Sequence, residues 1–369
     1  MALDQTSLYI GIMSGTSLDG VDAVLADFST DPPKLIANQH TGFDTALRAE
    51  LLALNQPGEN ELARAALAAN HLARYYAEAV QTLLAHQKIS AQRIAAIGCH
   101  GQTVRHRPEL GYTLQLNNPA LLAELTSISV VADFRARDIA AGGQGAPLVP
   151  AFHAAAFSHP TTHRVIANIG GIANLTNLPV DGKIIGFDCG PGNMLLDVWC
   201  ATHTGQAYDD DGAWAAGGTV IPELLVAFLQ EPYFQQRPPK STGRDLFSNA
   251  WLRPFLRAEY TPPDVQATLL QLTVQSISQA IKDYCMGARE IFVCGGGTRN
   301  GTLMQGLHHA FAESGVAVAP TDVLGVAAEQ VEALAFAWLA KQTILGKAGN
   351  LPAVTGAKHP CVLGAVYPR

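Results

Sequence analysis

Two glycine-rich turns, each between two apolar runs, are candidates for binding the phosphates of a nucleotide. The first lies within residues 11–22 (GIMSGTSLDGVD) and the second within residues 168–174 (NIGGIAN). Turns built from Gly, Ser, Thr and Asn present backbone N–H groups and hydroxyls to an oxyanion with no bulky side chain in the way. One such turn is usually a tight hairpin. Two of them, each early in a similar stretch of chain, indicate a duplicated fold that closes on phosphates from both sides.

The candidate nucleotide ligands fall into three groups along the chain. A third glycine cluster ends a strand before a helix, where a flat ring and its ribose can approach the backbone. Paired glycines also mark bulges, and a structural turn explains the triple glycine equally well by itself. The candidates are Ile12, Met13, Ser14, Gly15, Thr16, Ser17, Leu18 and Asp19 in the first turn, Asn168, Gly170 and Gly171 in the second, and Gly295, Gly296 and Gly297 in the third cluster.

Two carboxylates are candidates for proton transfer. Asp188 ends an apolar strand and precedes the rigid turn 190–193 (GPGN). We expect it to be partly desolvated, as suits a general base, although an Asp at this place also caps helices. Glu332 is an acid in an otherwise apolar helical run. The alternative is a solvated face shared with Glu329, three residues earlier.

Four further polar residues are candidate ligands of a small substrate. His100 and Gln102 lie in a turn after the buried strand 94–99, and Asp133 and Arg135 follow the strand 128–133. Together with Asp138, the latter pair could grip sugar hydroxyls or a carboxylate, or form a structural ion pair. The loop 240–244 (KSTGR) is a candidate contact to phosphate or to a substrate carboxylate, or a solvated turn.

The elements that must position these residues alternate between strand and helix. Long helical runs are predicted over 45–87, 149–157, 262–286 and 327–341, and apolar strands precede each candidate turn. At 369 residues the chain exceeds one typical core. The sequence therefore predicts two α/β domains, over residues 1–157 and 158–369, with the final helix free to pack back on the first.

Composition excludes several other classes of protein. Hydrophobic residues make up 48% and charged residues 15%, with a net charge of −7. An acidic chain gives no support to nucleic-acid binding, and the sequence shows neither a signal peptide nor a membrane span. The six scattered cysteines contain no CxxC pair and are read as reduced thiols of a cytoplasmic protein.

These motifs, taken in order, resemble the sugar kinase, heat-shock ATPase and actin superfamily, and within it the anhydro-N-acetylmuramic acid kinase family. The resemblance runs from residue 9 to the final helix. Besides the two turns it rests on residues 98–103 (GCHGQT), 132–135 (ADFR), 187–193 (FDCGPGN), 239–244 (PKSTGR) and 294–297 (CGGG).

The resemblance implies two duplicated actin-like (ribonuclease H-like) domains with mixed sheets flanked by helices and a nucleotide cleft between them. It implies a kinase that uses ATP and Mg²⁺ to convert 1,6-anhydro-N-acetylmuramic acid to N-acetylmuramic acid 6-phosphate in cell-wall recycling. In the family, Asp188 is the general base and Glu332 lies near the sugar. The expected partners are these small molecules, and a homodimer is compatible with the sequence.

One departure from the wider superfamily concerns the metal. Many members carry a carboxylate where this chain has Met13, and we match that place with Asn168 in the second turn. Asp19, Asp22 and Asp188 are the nearby metal candidates, in direct contact or through water. Two other functions stay open: an ordinary sugar or carboxylate kinase of the same superfamily, and a non-enzymatic ATP-clamp protein.

Overall fold

A computed structural model describes residues 7–15, 18–30, 32–243 and 245–369. Strands and helices alternate through this part of the chain. In chain order the strands are β1 (Leu8–Met13), β2 (Gly20–Asp27), β3 (Lys34–Gly42), β4 (Ile94–Cys99), β5 (Gln102–Arg107), β6 (Tyr112–Leu116), β7 (Val130–Ala132), β8 (Arg164–Ile169), β9 (Ile172–Leu178), β10 (Ile185–Pro191), β11 (Glu290–Cys294), β12 (Ala317–Pro320) and β13 (Ala365–Tyr367).

The α-helices begin where the sequence offers caps or prolines. Asp44, Asn118, Thr261 and Asn300 each accept a hydrogen bond from a first-turn N–H. In chain order the helices are α1 (Thr45–Ala53), α2 (Glu61–Gln87), α3 (Pro119–Thr126), α4 (Ala136–Ala140), α5 (Val149–Phe157), α6 (Met194–Thr204), α7 (Ala213–Ala216), α8 (Pro222–Leu229), α9 (Asn249–Leu252), α10 (Pro262–Tyr284), α11 (Gly301–Phe311), α12 (Val331–Ile344) and α13 (Pro352–Thr355).

The chain divides into two compact units. Unit 1 comprises residues 1–156 and 330–369, and unit 2 comprises residues 157–329. The sequence placed 158–369 together, whereas the structure groups the last segment with unit 1. The reason lies in α12, which packs on β1 and β4, and in β13, which pairs with β7.

The sheets of the two units repeat one strand order. In unit 1, β3-β2-β1-β4-β7 runs from an antiparallel meander into parallel strands, with β13 added at the edge. In unit 2, β10-β9-β8-β11-β12 has the same order and the same polarity. The predicted α/β class with duplicated mixed sheets is confirmed.

Each unit buries its own hydrophobic core. In unit 1 the inward faces of β1, β2 and β4 pack on α2, whose Leu72, Tyr76 and Val80 are fully buried. In unit 2 the strands pack on α6 and α10, around the fully buried Phe187 and Phe228. The sheets thereby become rigid supports for the turns at their edges.

Some predicted features differ in the structure. The helical run predicted over 45–87 is two helices, α1 and α2, because the segment 54–60 contains Pro57 and Gly58, which disfavour a continuous helix. All six cysteines are free and buried, as predicted. Among the described helices, none is long and apolar enough to cross a membrane.

Candidate active site

The loop after β1 is held from behind by buried hydrogen bonds. Ser14 is 2% exposed; its Oγ lies 2.9 Å from the Tyr76 hydroxyl and donates to the Gly101 carbonyl at 3.3 Å. Gln102, 1% exposed, donates from Nε2 to the Gly15 carbonyl at 3.1 Å. The Ser14 hydroxyl and the Gln102 amide therefore support the loop from inside the fold. Thr16 and Ser17 lie outside the described residues.

The acidic candidates beside this loop differ in their surroundings. Asp19 is exposed at the end of the turn, and Asp22 contacts His40 Nδ1 at 2.9 Å. Met13 is half-buried and pairs with Asp22 across the hairpin. Within the described residues, no group of three or more His, Cys, Asp or Glu side chains forms a candidate metal site.

His100 and Arg135 form one buried pair in unit 1. Arg135 donates to His100 Nε2 from Nε at 3.2 Å and from Nη2 at 2.8 Å, and its Nη1 donates to the Gly145 carbonyl. Burial, with the Arg135 charge, holds the pKa of His100 well below its usual value. His100 is therefore a neutral acceptor at Nε2, and Arg135 keeps its charge although burial lowers its pKa to about 10.

Glu332 joins this pair from the first turn of α12. Its charge favours the protonated form of Arg135, and Phe336, one turn later on the same helical face, packs on the His100 ring at 4.7 Å between centroids. Asp133 is exposed at the end of β7 with φ +59°, a left-handed conformation that is uncommon outside glycine. The structure thus brings His100, Arg135 and Glu332 together.

Asp138 has a structural position. Its carboxylate is fully buried and accepts hydrogen bonds from Gly145 N at 2.8 Å, Asn350 Nδ2 at 2.6 Å and Thr355 Oγ1 at 2.7 Å. These bonds tie the loop before α5 to the C-terminal segment. Asp138 is therefore not a free sugar ligand, in contrast to the expectation that grouped it with Arg135.

A polar row crosses the edge of the unit 2 sheet. Asn168 on β8 pairs with Asn174 on β9, which pairs with Asp188 on β10. Directly paired residues project from the same side of a sheet. The row therefore joins the second glycine turn to the candidate base. The strand ends also show that Asn168 corresponds to Ile12 and not to Met13, because each lies opposite the last residue of the next parallel strand, Cys294 or Cys99.

The second glycine turn is anchored on the start of α6. The Gly170 carbonyl accepts from Asn193 N at 2.8 Å, and the Gly171 carbonyl accepts from Gly192 N at 2.9 Å. A Cβ built on Gly170 would meet nothing closer than 3.7 Å. The turn's carbonyls therefore hold it in place, while there is open space over Gly170.

The triple glycine combines packing and access. A Cβ on Gly295 would lie 2.5 Å from Asn168 Oδ1, and one on Gly297 would lie 2.5 Å from Ile169 Cγ2. Gly296 is exposed, with its nearest neighbour for a Cβ at 4.0 Å. Two of the glycines are thus required by close packing against β8, and Gly296 is the open one.

Asp188 is desolvated and held in one orientation. Thr242 N donates to its Oδ2 at 3.0 Å, and the Tyr233 hydroxyl donates to its backbone carbonyl at 2.7 Å. Burial raises the pKa of Asp188 to about 6, against the opposing effects of the Thr242 N–H and the Lys240 charge. The group is mostly ionised at pH 7 and can accept a proton, as a general base must.

Sequence reasoning missed two tyrosines that organise this chemistry. Tyr76 is fully buried in α2 and appeared as one more core residue of a helix, and Tyr233 lies in a loop with no motif. Their hydroxyl partners, Ser14 and Asp188, are distant in sequence. The run 240–244 gave a partial signal for Thr242; Arg244 of that run lies outside the described residues.

Two α/β units of one topology, each with a glycine turn after its first strand, define the class. They are the arrangement of the sugar kinase, heat-shock ATPase and actin superfamily, with a desolvated carboxylate in the second unit.

The family follows from comparison with known proteins. The family model described as anhydro-N-acetylmuramic acid kinase matches residues 7–369. The anhydro-N-acetylmuramic acid kinase of Nitrosospira multiformis is 58% identical over 99% of this chain and 100% of its own length. That of Nitrosomonas europaea is 57% identical, over 98% and 99%. This chain belongs to the anhydro-N-acetylmuramic acid kinase family, and is therefore a phosphotransferase.

A more remote likeness exists among solved structures. The activator of the 2-hydroxyisocaproyl-CoA dehydratase from Clostridium difficile, with bound ADPNP, aligns with a TM-score of 0.46 and 13% identity, over 92% of this chain and 97% of that one. At this distance it carries no argument about function.

Proposed function

We propose that this protein hydrolyses the 1,6-anhydro ring of 1,6-anhydro-N-acetylmuramic acid and phosphorylates O6 with ATP, giving N-acetylmuramic acid 6-phosphate and ADP. Family membership supports the substrate. The observation that carries the mechanism is the Asp188 carboxylate, with a pKa raised to about 6 by burial and Oδ2 fixed by the Thr242 N–H.

The substrate's own chemistry determines what the base must do. An ordinary sugar kinase removes a proton from a free hydroxyl, which attacks the γ-phosphate. In the anhydro sugar, O6 is bonded to C1 and carries no proton. Asp188 therefore takes a proton from water, whose oxygen forms a bond to C1 as the C1–O6 bond breaks. Negative charge then grows on O6.

The leaving oxygen is captured by phosphorus. A glycosidase protonates such an oxygen with a carboxylic acid, whereas here O6 bonds to the γ-phosphorus as the bond to ADP breaks. One base therefore serves the whole exchange, and no general acid is needed at O6. The atoms balance as anhydro sugar, water and ATP giving the 6-phosphate and ADP.

The unit 1 cluster is assigned to the sugar. Arg135 is charged, and His100 is neutral with its Nε2 occupied by Arg135. We assign Arg135 and Asp133 to the substrate's polar groups and Glu332 to orienting the water or sharing its proton. Gln102 acts indirectly, by holding the carbonyl of Gly15.

The two glycine turns are assigned to the ATP phosphates and Gly296 to the adenosine, since Gly170 and Gly296 have open space above them. Mg²⁺ offsets phosphate charge when bound, and it commonly keeps several waters and takes one or two carboxylates besides phosphate oxygens. Asp19, exposed beside the first turn, fits that limited demand. Because the reaction consumes ATP, a cytoplasmic location belongs to the same proposal.

The experiment supplies ATP with either the anhydro sugar or free N-acetylmuramic acid, and measures ADP and sugar phosphate separately. We expect one ADP per 6-phosphate from the anhydro sugar, and much slower reaction with the free sugar. Equal or faster turnover of the free sugar would indicate an ordinary sugar kinase. ADP formed without sugar phosphate would indicate a nucleotide-driven clamp.

A further inference from the structure

Asp188 is gripped by a loop that contributes far more than one hydrogen bond. The Asp188 N–H donates to the Lys240 carbonyl at 3.1 Å, and Thr242 N donates back to the Asp188 carboxylate at 3.0 Å. The loop therefore runs alongside β10 as a short extra strand. It meets β10 beside the irregular register between Asp188 and Gly190.

Tyr233 connects this loop to Asp188 from a second direction. The tyrosine is 3% exposed, and its hydroxyl donates to the Asp188 carbonyl at 2.7 Å. Lys240 Nζ donates to the Tyr233 carbonyl at 3.2 Å and lies 4.6 Å from the centre of the Tyr233 ring. The lysine ammonium is thus fixed on the same tyrosine that holds the candidate base.

Lys240 is the positive charge that acts on Asp188. The other titratable groups that act on it or adjoin it are Tyr233 and Cys189, and burial raises the pKa of both, so both are neutral near pH 7. Asp283, from α10, attracts Lys240 in turn. Burial lowers the pKa of Lys240, but these carboxylates and the thiol oppose that effect.

We infer that Lys240 and Tyr233 are positioning residues for the proposed general base: Tyr233 fixes the backbone of Asp188 and the ammonium of Lys240, and Lys240 keeps the Asp188 carboxylate ionised at neutral pH. This inference rests on the proposed function of Asp188. Neither residue needs to contact substrate, because each acts through Asp188. A desolvated carboxylate without this charge would be protonated over more of the working pH range.

The test removes the charge and follows Asp188 directly. The Asp188 carboxyl is titrated by ¹³C NMR, with its signal assigned by its loss in Asp188→Asn, and kcat/KM is measured over the same pH range. An opposite charge near a carboxylate commonly shifts its midpoint by about one pH unit or more. We expect Lys240→Met to raise both midpoints by about one unit, so that kcat/KM at pH 6 falls several-fold and recovers towards pH 8.5.

Two further variants separate charge from structure. Lys282→Met removes another lysine that lies over an aromatic ring in the same unit, Phe311, and should leave both midpoints in place. Tyr233→Phe keeps the ring under Lys240 but loses the hydroxyl, and should lower kcat with KM for ATP within about twofold. If Lys240→Met folds poorly, Lys240→Gln removes the same charge.

The outcomes distinguish this inference from the reaction itself. An Asp188 midpoint that stays in place while activity falls equally at every pH would make Lys240 merely structural and would overturn the inference. An NMR midpoint that moves as expected while the kcat/KM profile does not follow it would support the clamp but refute Asp188 as the base.

Discussion

Gly11 on β1 and Gly98 on β4 lie directly opposite each other, and α12 passes over both with its backbone. A Cβ on Gly11 would overlap the Ala333 carbonyl oxygen and lie 2.7 Å from Ala337 N. A Cβ on Gly98 would overlap the carbonyl of Phe336. This bare patch of sheet fixes the first turn of α12, and with it Glu332.

Gly11→Ala and Gly98→Ala should each destabilise the protein, because the obstacle is helix backbone and cannot rotate away. Overpacking of this kind typically costs about 1–3 kcal/mol. Urea unfolding measures the loss. The control is Gly42→Ala at the end of β3, where a Cβ would meet nothing closer than 3.7 Å. Three variants of equal stability would show that α12 does not pack this closely.

The sequence predicted elements well where local signals suffice. The strand 94–99 and the helix 149–157 have their predicted bounds, and both glycine turns join antiparallel strands. The break between α1 and α2 was missed, although Pro57 and Gly58 signal it, because the apolar periodicity continues on either side.

Features that depend on packing between distant segments were out of reach. Nothing in residues 330–369 states that α12 will rest on Gly11 and Gly98, since the match is between a helix backbone and two missing side chains. Likewise, Ser14 is a phosphate candidate by composition, but its hydroxyl bonds to Tyr76, 62 residues away. Asp188, by contrast, was identified from local pattern and from family resemblance.

The triple glycine should separate into two effects. Gly296→Val should weaken ATP binding by about tenfold or more, equivalent to about 1.4 kcal/mol, with little change in thermal stability, because its position is open. Gly297→Ala should lower stability instead, since its Cβ would press on Ile169. Calorimetric titration with an ATP analogue and thermal unfolding measure the two quantities. Unchanged affinity in Gly296→Val would remove that residue from the nucleotide site.

The Tyr76 hydroxyl should matter for both stability and the first glycine turn. Tyr76→Phe leaves Ser14 Oγ with the Gly101 carbonyl alone, and the loss of such a buried hydrogen bond costs about 1 kcal/mol. ATP affinity should fall with it as the loop loosens. Tyr75→Phe, whose hydroxyl binds the exposed Asp44, is the neighbouring control. Equal effects in both variants would contradict a special role for Tyr76.

Asp188→Asn should increase stability at neutral pH. The folded pKa of Asp188, about 6, lies above the ordinary value of 3.8. The folded state therefore binds more protons between these values, and the stability contributed by the wild-type carboxyl is lost as pH rises through that window. Relative to wild type, the Asn variant should gain on the order of 1–2 kcal/mol at pH 7.5 and nothing below pH 4. Thermal unfolding across pH measures this; an Asn variant less stable at pH 7.5 would contradict the desolvation of Asp188.

The most direct test of the proposed chemistry is the reaction in ¹⁸O-labelled water, quenched early and analysed by mass spectrometry. Unlabelled product incubated in the same water for the same time corrects for exchange at C1. The account predicts one ¹⁸O at C1, none in the phosphate, and turnover in Asp188→Asn reduced by about 10²–10⁴-fold. Label in the phosphate, no label at C1 beyond exchange, or near-normal turnover of the Asn variant would contradict activation of water by Asp188.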